Sequence, residues 1–184
     1  MIRRFVLPLL ISLAGLGSVG RADHLPDNLL AQGRPETRLA RIDLKDVELA
    51  DIIRRYGKPN RVKAWESDRP DFSSSYDYYW LKPGLKLHVV VERLLRKDPN
   101  WEVVTLVEVT SGTSRKVGRT GRGLKLGDTL MDLKRVYGFR FKVRNIPKLK
   151  IHDVMIEWHR EEYSLVATLD RHNRISGLTL VAPE

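Results

Sequence analysis

The residues of this 184-residue chain that could do chemistry are five histidines and a few clustered carboxylates, and their spacing decides whether they can. A zinc site needs three or four ligands at short sequence or paired-strand spacing. Glu157 and His159 share one face of a strand pattern, and Asp170 and His172 would do so if their strand continued, but neither pair reaches three. No His-Glu-x-x-His occurs, and His24, His88 and the rest read as solvated surface residues. Nucleophile signatures are missing too: there is no cysteine and no Gly-x-Ser-x-Gly elbow, Ser73-Ser74-Ser75 reads as a loop triplet without an adjacent base, and Glu161-Glu162 falls in a turn. The glycines from Gly118 to Gly123 lack the Lys-Ser/Thr end of a phosphate-binding loop. The expectation is a protein that is not an enzyme, with no catalytic residue, no metal and no cofactor.

What remains is contact chemistry. Tyr76, Tyr78 and Trp80 alternate along one strand, and Val154, Ile156 and Trp158 form a matching apolar row, so both rows read as core. The opposite faces carry Asp77 and Tyr79, then Met155, Glu157 and His159. Tyr79, His88, Met155 and His159 are the partner-binding candidates. Arg140, Lys142 and Arg144 alternate with Phe139, Phe141 and Val143, so three cations project from one face about 7 Å apart, within a Debye length of about 8 Å. With Arg119 and Arg122 they form the anion-binding candidates. Acidic neighbours such as Asp77, Glu92, Glu157 or Asp170 would neutralise that row internally; otherwise it is a docking site.

The elements that must position these residues follow an export leader. Arg3 and Arg4 precede an apolar run from Phe5 to about Val19, and Gly20-Arg21-Ala22 offers small residues at the cleavage positions, which is the layout of a signal peptide over residues 1–22. An uncleaved anchor is the rival reading, although the run falls short of the roughly 20 apolar residues that span a bilayer. Loss of three leader arginines lowers the net charge from +10 to +7. The surplus is local: residues 115–150 hold 12 Lys and Arg against 2 acids, whereas residues 23–114 are balanced at 15 against 15. Such a segment is a local field and not a general solubility device. Export without cysteine excludes a disulfide framework and a lipidated cysteine.

The mature chain says one thing twice. Asp51 to Gly57, Asp-Ile-Ile-Arg-Arg-Tyr-Gly, is echoed by Asp132 to Gly138, Asp-Leu-Lys-Arg-Val-Tyr-Gly. Downstream, Val62 matches Val143, Trp80 matches Trp158, and Leu87, Val89 and Val91 match Leu165, Ala167 and Leu169. Leu49, Ile52, Ile53 and Tyr56 line one helical face, with Asp46 as N-cap and Gly57 as stop; Leu130, Leu133 and Tyr137 repeat it, with Asp128 or Thr129 as cap. After each helix the period drops to two, and four strands follow. The expected fold class is therefore α+β, two tandem units, each a short helix on its own four-stranded antiparallel sheet. The divisions are a lightly held arm over 23–41, a first unit over 42–109, a Gly-rich basic linker over 110–123 and a second unit over 124–184. With a helix on one face, each sheet leaves its other face to bind something or to pack on its twin.

A helix ending in Tyr-Gly, preceded in the second copy by Leu126-Gly127-Asp128-Thr129, then strands with an aromatic in the second and valines in the third, resembles the repeat shared by the outer-membrane assembly protein BamE (SmpA/OmlA) and by beta-lactamase inhibitory protein. The resemblance covers residues 42 to 181. It implies a non-catalytic module, and the tandem inhibitor grips its partner with an aromatic-rich concave sheet surface. This chain lacks the anchoring cysteine of the one and the disulfides of the other, so no partner is carried over. The resulting expectation is a secreted or periplasmic protein-interaction module of the cell envelope that uses an open sheet face on an envelope or extracellular protein. The alternative is a binder of anionic polysaccharide or lipid through the basic segment 115–150. Nucleic acid and a transmembrane segment in the mature chain are not expected.

Overall fold

The computed structural model describes residues 34–66, 72–94, 102–138, 141–146, 151–158 and 162–182. The leader, the first part of the arm, Arg140 and His159 lie outside the described residues. A two-stranded hairpin, β1 (Arg38–Leu39) and β2 (Ile42–Asp43), precedes helix α1 (Leu49–Tyr56) and strands β3 (Arg61–Glu66), β4 (Phe72–Lys82), β5 (Leu85–Leu94) and β6 (Glu102–Thr110). Helix α2 (Leu130–Tyr137) and strands β7 (Lys142–Ile146), β8 (Ile151–Trp158), β9 (Tyr163–Leu169) and β10 (Ile175–Val181) complete the chain.

The expectation of two helix-on-sheet units is overturned. All eight long strands form one antiparallel sheet in the order β3-β4-β5-β6-β10-β9-β8-β7, and the protein is mostly β, with two helices of eight residues among the described residues. β6 and β10 join the halves edge to edge, Glu108 opposite Thr179 and Val107 opposite Leu180. Neither open face packs on the other. A strand at the edge of an isolated four-stranded sheet would leave a row of backbone N–H and C=O groups unpaired, and fusing the last strand of each half removes two such edges.

Ladder register relates the halves and corrects one match. Val62 pairs with Tyr78 and Val143 with Val154, while Leu87 pairs with Trp80 and Leu165 with Ile156. Both comparisons make Ile156 the counterpart of Trp80, and Trp158 lies two residues further along the same face. The reason is the hairpin loop: β4–β5 closes at Lys82↔Leu85, whereas β8–β9 closes at Trp158↔Tyr163, a longer connection. In this register Glu108 and Thr179 are each other's counterparts, so an approximate two-fold axis passes through their pair.

One face of the sheet is buried. A row from Trp80 through Leu87, Val109, Leu178, Ala167 and Val154 crosses six strands by direct pairing, and all six are fully or nearly fully buried. Ile52 of α1 and Leu133 of α2 close on this face within the same core. The Trp80 indole donates to Gly57 O at 2.7 Å and so ties β4 to the end of α1. Gly57 and Gly138 follow the helices with φ of 77° and 84°, a conformation that costs least in glycine. Helix α1 begins after Glu48, not at Asp46, and Glu48 makes no side-chain cap; Thr129 caps α2.

Two segments are held more firmly than their composition suggests. Leu39, Ala40 and Ile42, in or just after the expected arm, are fully buried. Their strands have two residues each, too short for any periodicity to reveal. The Gly-rich connector is also packed: a Cβ on Gly118 would come within 2.8 Å of Leu126 Cδ1, Thr120 is 3 % exposed, and Thr120 bridges to Leu39. Hairpin and connector share the helix side with the core through Leu39, Ile42 and Leu124. No described element packs on the opposite face. Among the described residues no helix is long and apolar enough to cross a membrane.

Candidate functional site

The open face is organised by one cross-strand row that spans all eight strands. Direct pairing runs Arg61–Tyr79–His88–Glu108–Thr179–Val166–Met155–Lys142. Three partner-binding candidates, Tyr79, His88 and Met155, and one anion-binding candidate, Lys142, therefore fall on a single line. Both ends are exposed cations, while His88 and Thr179 near the middle are 8 % and 6 % exposed.

His88 is not a solvated surface histidine. Its Nδ1 lies 3.1 Å from Glu108 Oε2 and its Nε2 lies 3.3 Å from Asp77 Oδ1. A carboxylate faces each ring nitrogen, and a neutral imidazole has one N–H, so satisfying both acceptors requires the doubly protonated ring. Burial pulls His88 toward neutrality, but hydrogen bonds from both carboxylates and their charges outweigh it and raise the pKa from 6.5 to about 9.

Asp77, expected as a contact residue, is 2 % exposed and serves as the hub beneath the surface. Its Oδ2 accepts from the Trp65 indole at 2.6 Å and lies 3.3 Å from the Tyr79 hydroxyl. Burial pushes its carboxyl up, yet the bonds from His88, Trp65 and Tyr79 hold it below the usual range. The Tyr79 ring stacks on His88 with centroids 4.5 Å apart and planes 6° from parallel, and the Arg61 guanidinium sits 5.5 Å from the Tyr79 centroid. Burial, then the Asp77 charge, drives the Tyr79 phenol up to about 12. Trp65 is 43 % exposed with Lys63 over its ring. Polar groups thus hold a surface on which Trp65 and Arg61 are exposed and Tyr79 and Lys63 half-buried. Ser74 and Ser75, expected in a loop, belong to β4, and Ser75, opposite Trp65, extends this face.

The second half answers with simpler chemistry. Asp153 is the register counterpart of Asp77, is 8 % exposed and accepts from Thr168 Oγ1 at 2.8 Å. Val166 stands where His88 does, Met155 where Tyr79 does, and Thr179 where Glu108 does. Lys142 Nζ pairs with Glu157 Oε2 at 2.7 Å, so part of the basic row is neutralised internally. Arg144 is exposed, in register with Asp153.

The other anion-binding candidates lie away from this face. The Arg122 guanidinium is 5.2 Å from the Tyr137 centroid and 5.9 Å from that of Trp158, and it donates to Arg34 O. Arg119 lines a cavity beside the β1–β2 hairpin. The polar hub around Glu36 was invisible in the sequence: Tyr137 OH donates to Glu36 Oε2 at 2.6 Å, and the backbone N–H groups of Arg38 and Arg122 bind the same carboxylate. Burial, then Glu36, pushes the Tyr137 phenol well above its ordinary value. A lone Glu in a segment with few large apolar residues gives no signal that it will be 4 % exposed.

No protein-family model matches the chain, and no curated protein matches it. Among solved structures, a DUF4309 family protein (YjgB) from Bacillus subtilis is similar to it over 77 % of this chain and 82 % of its own, at 19 % sequence identity and a TM-score of 0.43.

Proposed function

We propose that the chain is a secreted or periplasmic, non-catalytic interaction module that docks an acidic partner protein across its open sheet face. The observation that carries this reading is the eight-residue row, with Arg61 and the Glu157-paired Lys142 at its ends and Tyr79, Val166 and Met155 flanking a polar centre of His88, Glu108 and Thr179, on a face that no described element covers. Arg61 and Lys63 on one edge strand are register counterparts of Lys142 and Arg144 on the other, so the face carries cations at both margins. Between them Trp65, Tyr79, Val166 and Met155 supply the aromatic and apolar contact that anchors interfaces. Binding is favoured over catalysis because both nitrogens of His88 already face carboxylates, which leaves no lone pair to act as a base. The reading accords with the resemblance to the tandem inhibitor.

The test is capture from envelope extract with the tagged protein, run beside two face variants. Met155→Glu places a carboxylate where an acidic partner must sit, and Tyr79→Ala removes the stacked ring. The expected result is a captured protein that is lost with both variants and elutes at high salt. Capture that survives both substitutions, or no protein captured by the parent, overturns the reading.

A further inference from the structure

On the helix side of the sheet, remote from the row just described, Arg38, Arg41 and Arg119 line a cavity of about 240 Å³ whose remaining wall is Thr120, Gly121 and Gly123. All three arginines are exposed, and three positive charges around one cavity make a local field that favours an anion. Among the described residues no acid lines this cavity. Asp43 reaches Arg38 at 3.5 Å from the flank and, with Asp46 and Asp51, lines a neighbouring cavity that Arg38 and Arg41 share, while Glu36 beneath Gly121 is already bound by two backbone N–H groups and the Tyr137 hydroxyl.

The turn that carries Arg41 is costly. Ala40 and Arg41 are the two loop residues of the β1–β2 hairpin, with φ of 52° and 59°. Two consecutive left-handed residues make the hairpin turn that ordinarily takes Asn-Gly, because a Cβ is strained there. Ala40 is fully buried, its N–H donates to Arg119 O at 3.0 Å, and its carbonyl accepts from Tyr56 OH, so the turn is fixed from both sides. An arginine kept at a left-handed position that glycine would fill with less strain is the kind of outlier that marks a functional residue.

We propose that this pocket binds a tetrahedral oxyanion, a phosphate or sulfate ester, clamped by Arg38, Arg41 and Arg119. Planar guanidinium forks suit such oxygens better than ammonium groups do. A cavity of about 240 Å³ has room for one such group together with the small moiety that carries it.

The probes are inorganic phosphate and sulfate, titrated calorimetrically against chloride at equal ionic strength. The parent should show saturable binding. Arg119→Gln and Arg41→Gly should each weaken it at least tenfold, while Lys63→Gln on the opposite face should leave it unchanged. Arg41→Gly should also melt at a higher temperature than the parent in chloride, because glycine relieves the turn; a structural arginine would give the opposite sign. Vesicles containing phosphatidylglycerol and a soluble sulfated oligosaccharide distinguish the two sources, the true one being captured by the parent and released by Arg119→Gln. Phosphate behaving like chloride, phosphate binding intact in both pocket variants, or capture of neither source overturns the proposal.

Discussion

The two halves of the sheet share a backbone plan and differ in what they put on it. Both place a carboxylate at the same register position, Asp77 and Asp153, and both bury it. In the first half a histidine, a tyrosine and a tryptophan converge on that carboxylate; in the second a threonine hydroxyl supplies the one hydrogen bond described. The contrast extends below the sheet, where the Trp80 indole binds Gly57 O while the buried Trp158 N–H has no acceptor among the described residues. A repeated framework therefore constrains the apolar face, on which folding depends, and leaves the open face free to diverge. In the docking proposed above, the half with the charged network would supply the rigid contact and the plainer half the apolar area.

The largest expected effect tests whether the halves are one folding unit. Ile52 and Leu133 are 1 % and 0 % exposed in one core, so Ile52→Asp and Leu133→Asp each bury an unpaired charge and should cost several kcal/mol, a large share of a total stability of roughly 5–15 kcal/mol. Because β6 and β10 are neighbours in one sheet, each variant should lose both halves in a single transition, followed by circular dichroism and by tryptophan fluorescence. Two separate transitions would break the picture of a single unit.

A smaller but more discriminating effect comes from making the first half resemble the second. His88→Val installs the residue found at the matching position, Val166, yet it leaves Asp77 and Glu108 without the cation between them. Removing one partner of a buried charge pair costs about 3–5 kcal/mol, whereas Val166→Ala should cost about 1–2 kcal/mol for a half-buried side chain. The pH dependence has a definite sign. The folded pKa of His88 is raised to about 9 from 6.5, so its contribution is fully present below about pH 6.5 and is lost as pH rises through about 9. Melting temperature should fall between pH 7 and pH 10 in the parent, and that slope should flatten in His88→Val. Equal slopes would mean the imidazolium is not held between the carboxylates.

What could be read from the sequence follows the same division. Apolar alternation exposed the helix faces and the strand rows because burial on one face writes a period of 3.6 or 2. It could not show that two four-stranded sheets become one, since edge pairing is made by backbone groups that every residue carries. Hairpin lengths were legible as loops but not as a two-residue offset, which is why Trp80 was matched with Trp158 and not with Ile156. Tyr79, Met155 and Lys142 were found by their face. His88 was singled out too, but its burial was missed because the two carboxylates that enclose it come from β4 and β6, 11 residues before it and 20 after. Arg38 and Arg41 gave no signal at all, lying in a hairpin of two-residue strands.

The smallest expected effect concerns the helix starts, where the halves differ at the capping residue. In α2, Thr129 Oγ1 accepts from the Asp132 N–H at 3.3 Å and Asp132 Oδ2 accepts from the Thr129 N–H at 2.9 Å, a reciprocal capping box. In α1, Asp51 occupies the position of Asp132 and pairs with Arg54 three residues on, as Asp132 does with Arg135. Glu48 stands in place of Thr129 and makes no side-chain bond to the helix. Everything but the cap is already present. Thr129→Ala should therefore cost about 1 kcal/mol, while Glu48→Thr should gain between a few tenths and about 1 kcal/mol by completing the box with Asp51. The Asp132 carboxyl is held below its usual range by the backbone bond from Thr129 first, so the cap's contribution should be present above the ordinary carboxylate pKa and fade as pH falls through the folded value. Chemical denaturation of the parent, the two single variants and Glu48→Thr with Asp51→Ala decides the matter. If Glu48→Thr gains as much without Asp51 as with it, the gain is a property of threonine at that site, and the likeness between the two helix starts goes no deeper than their backbone.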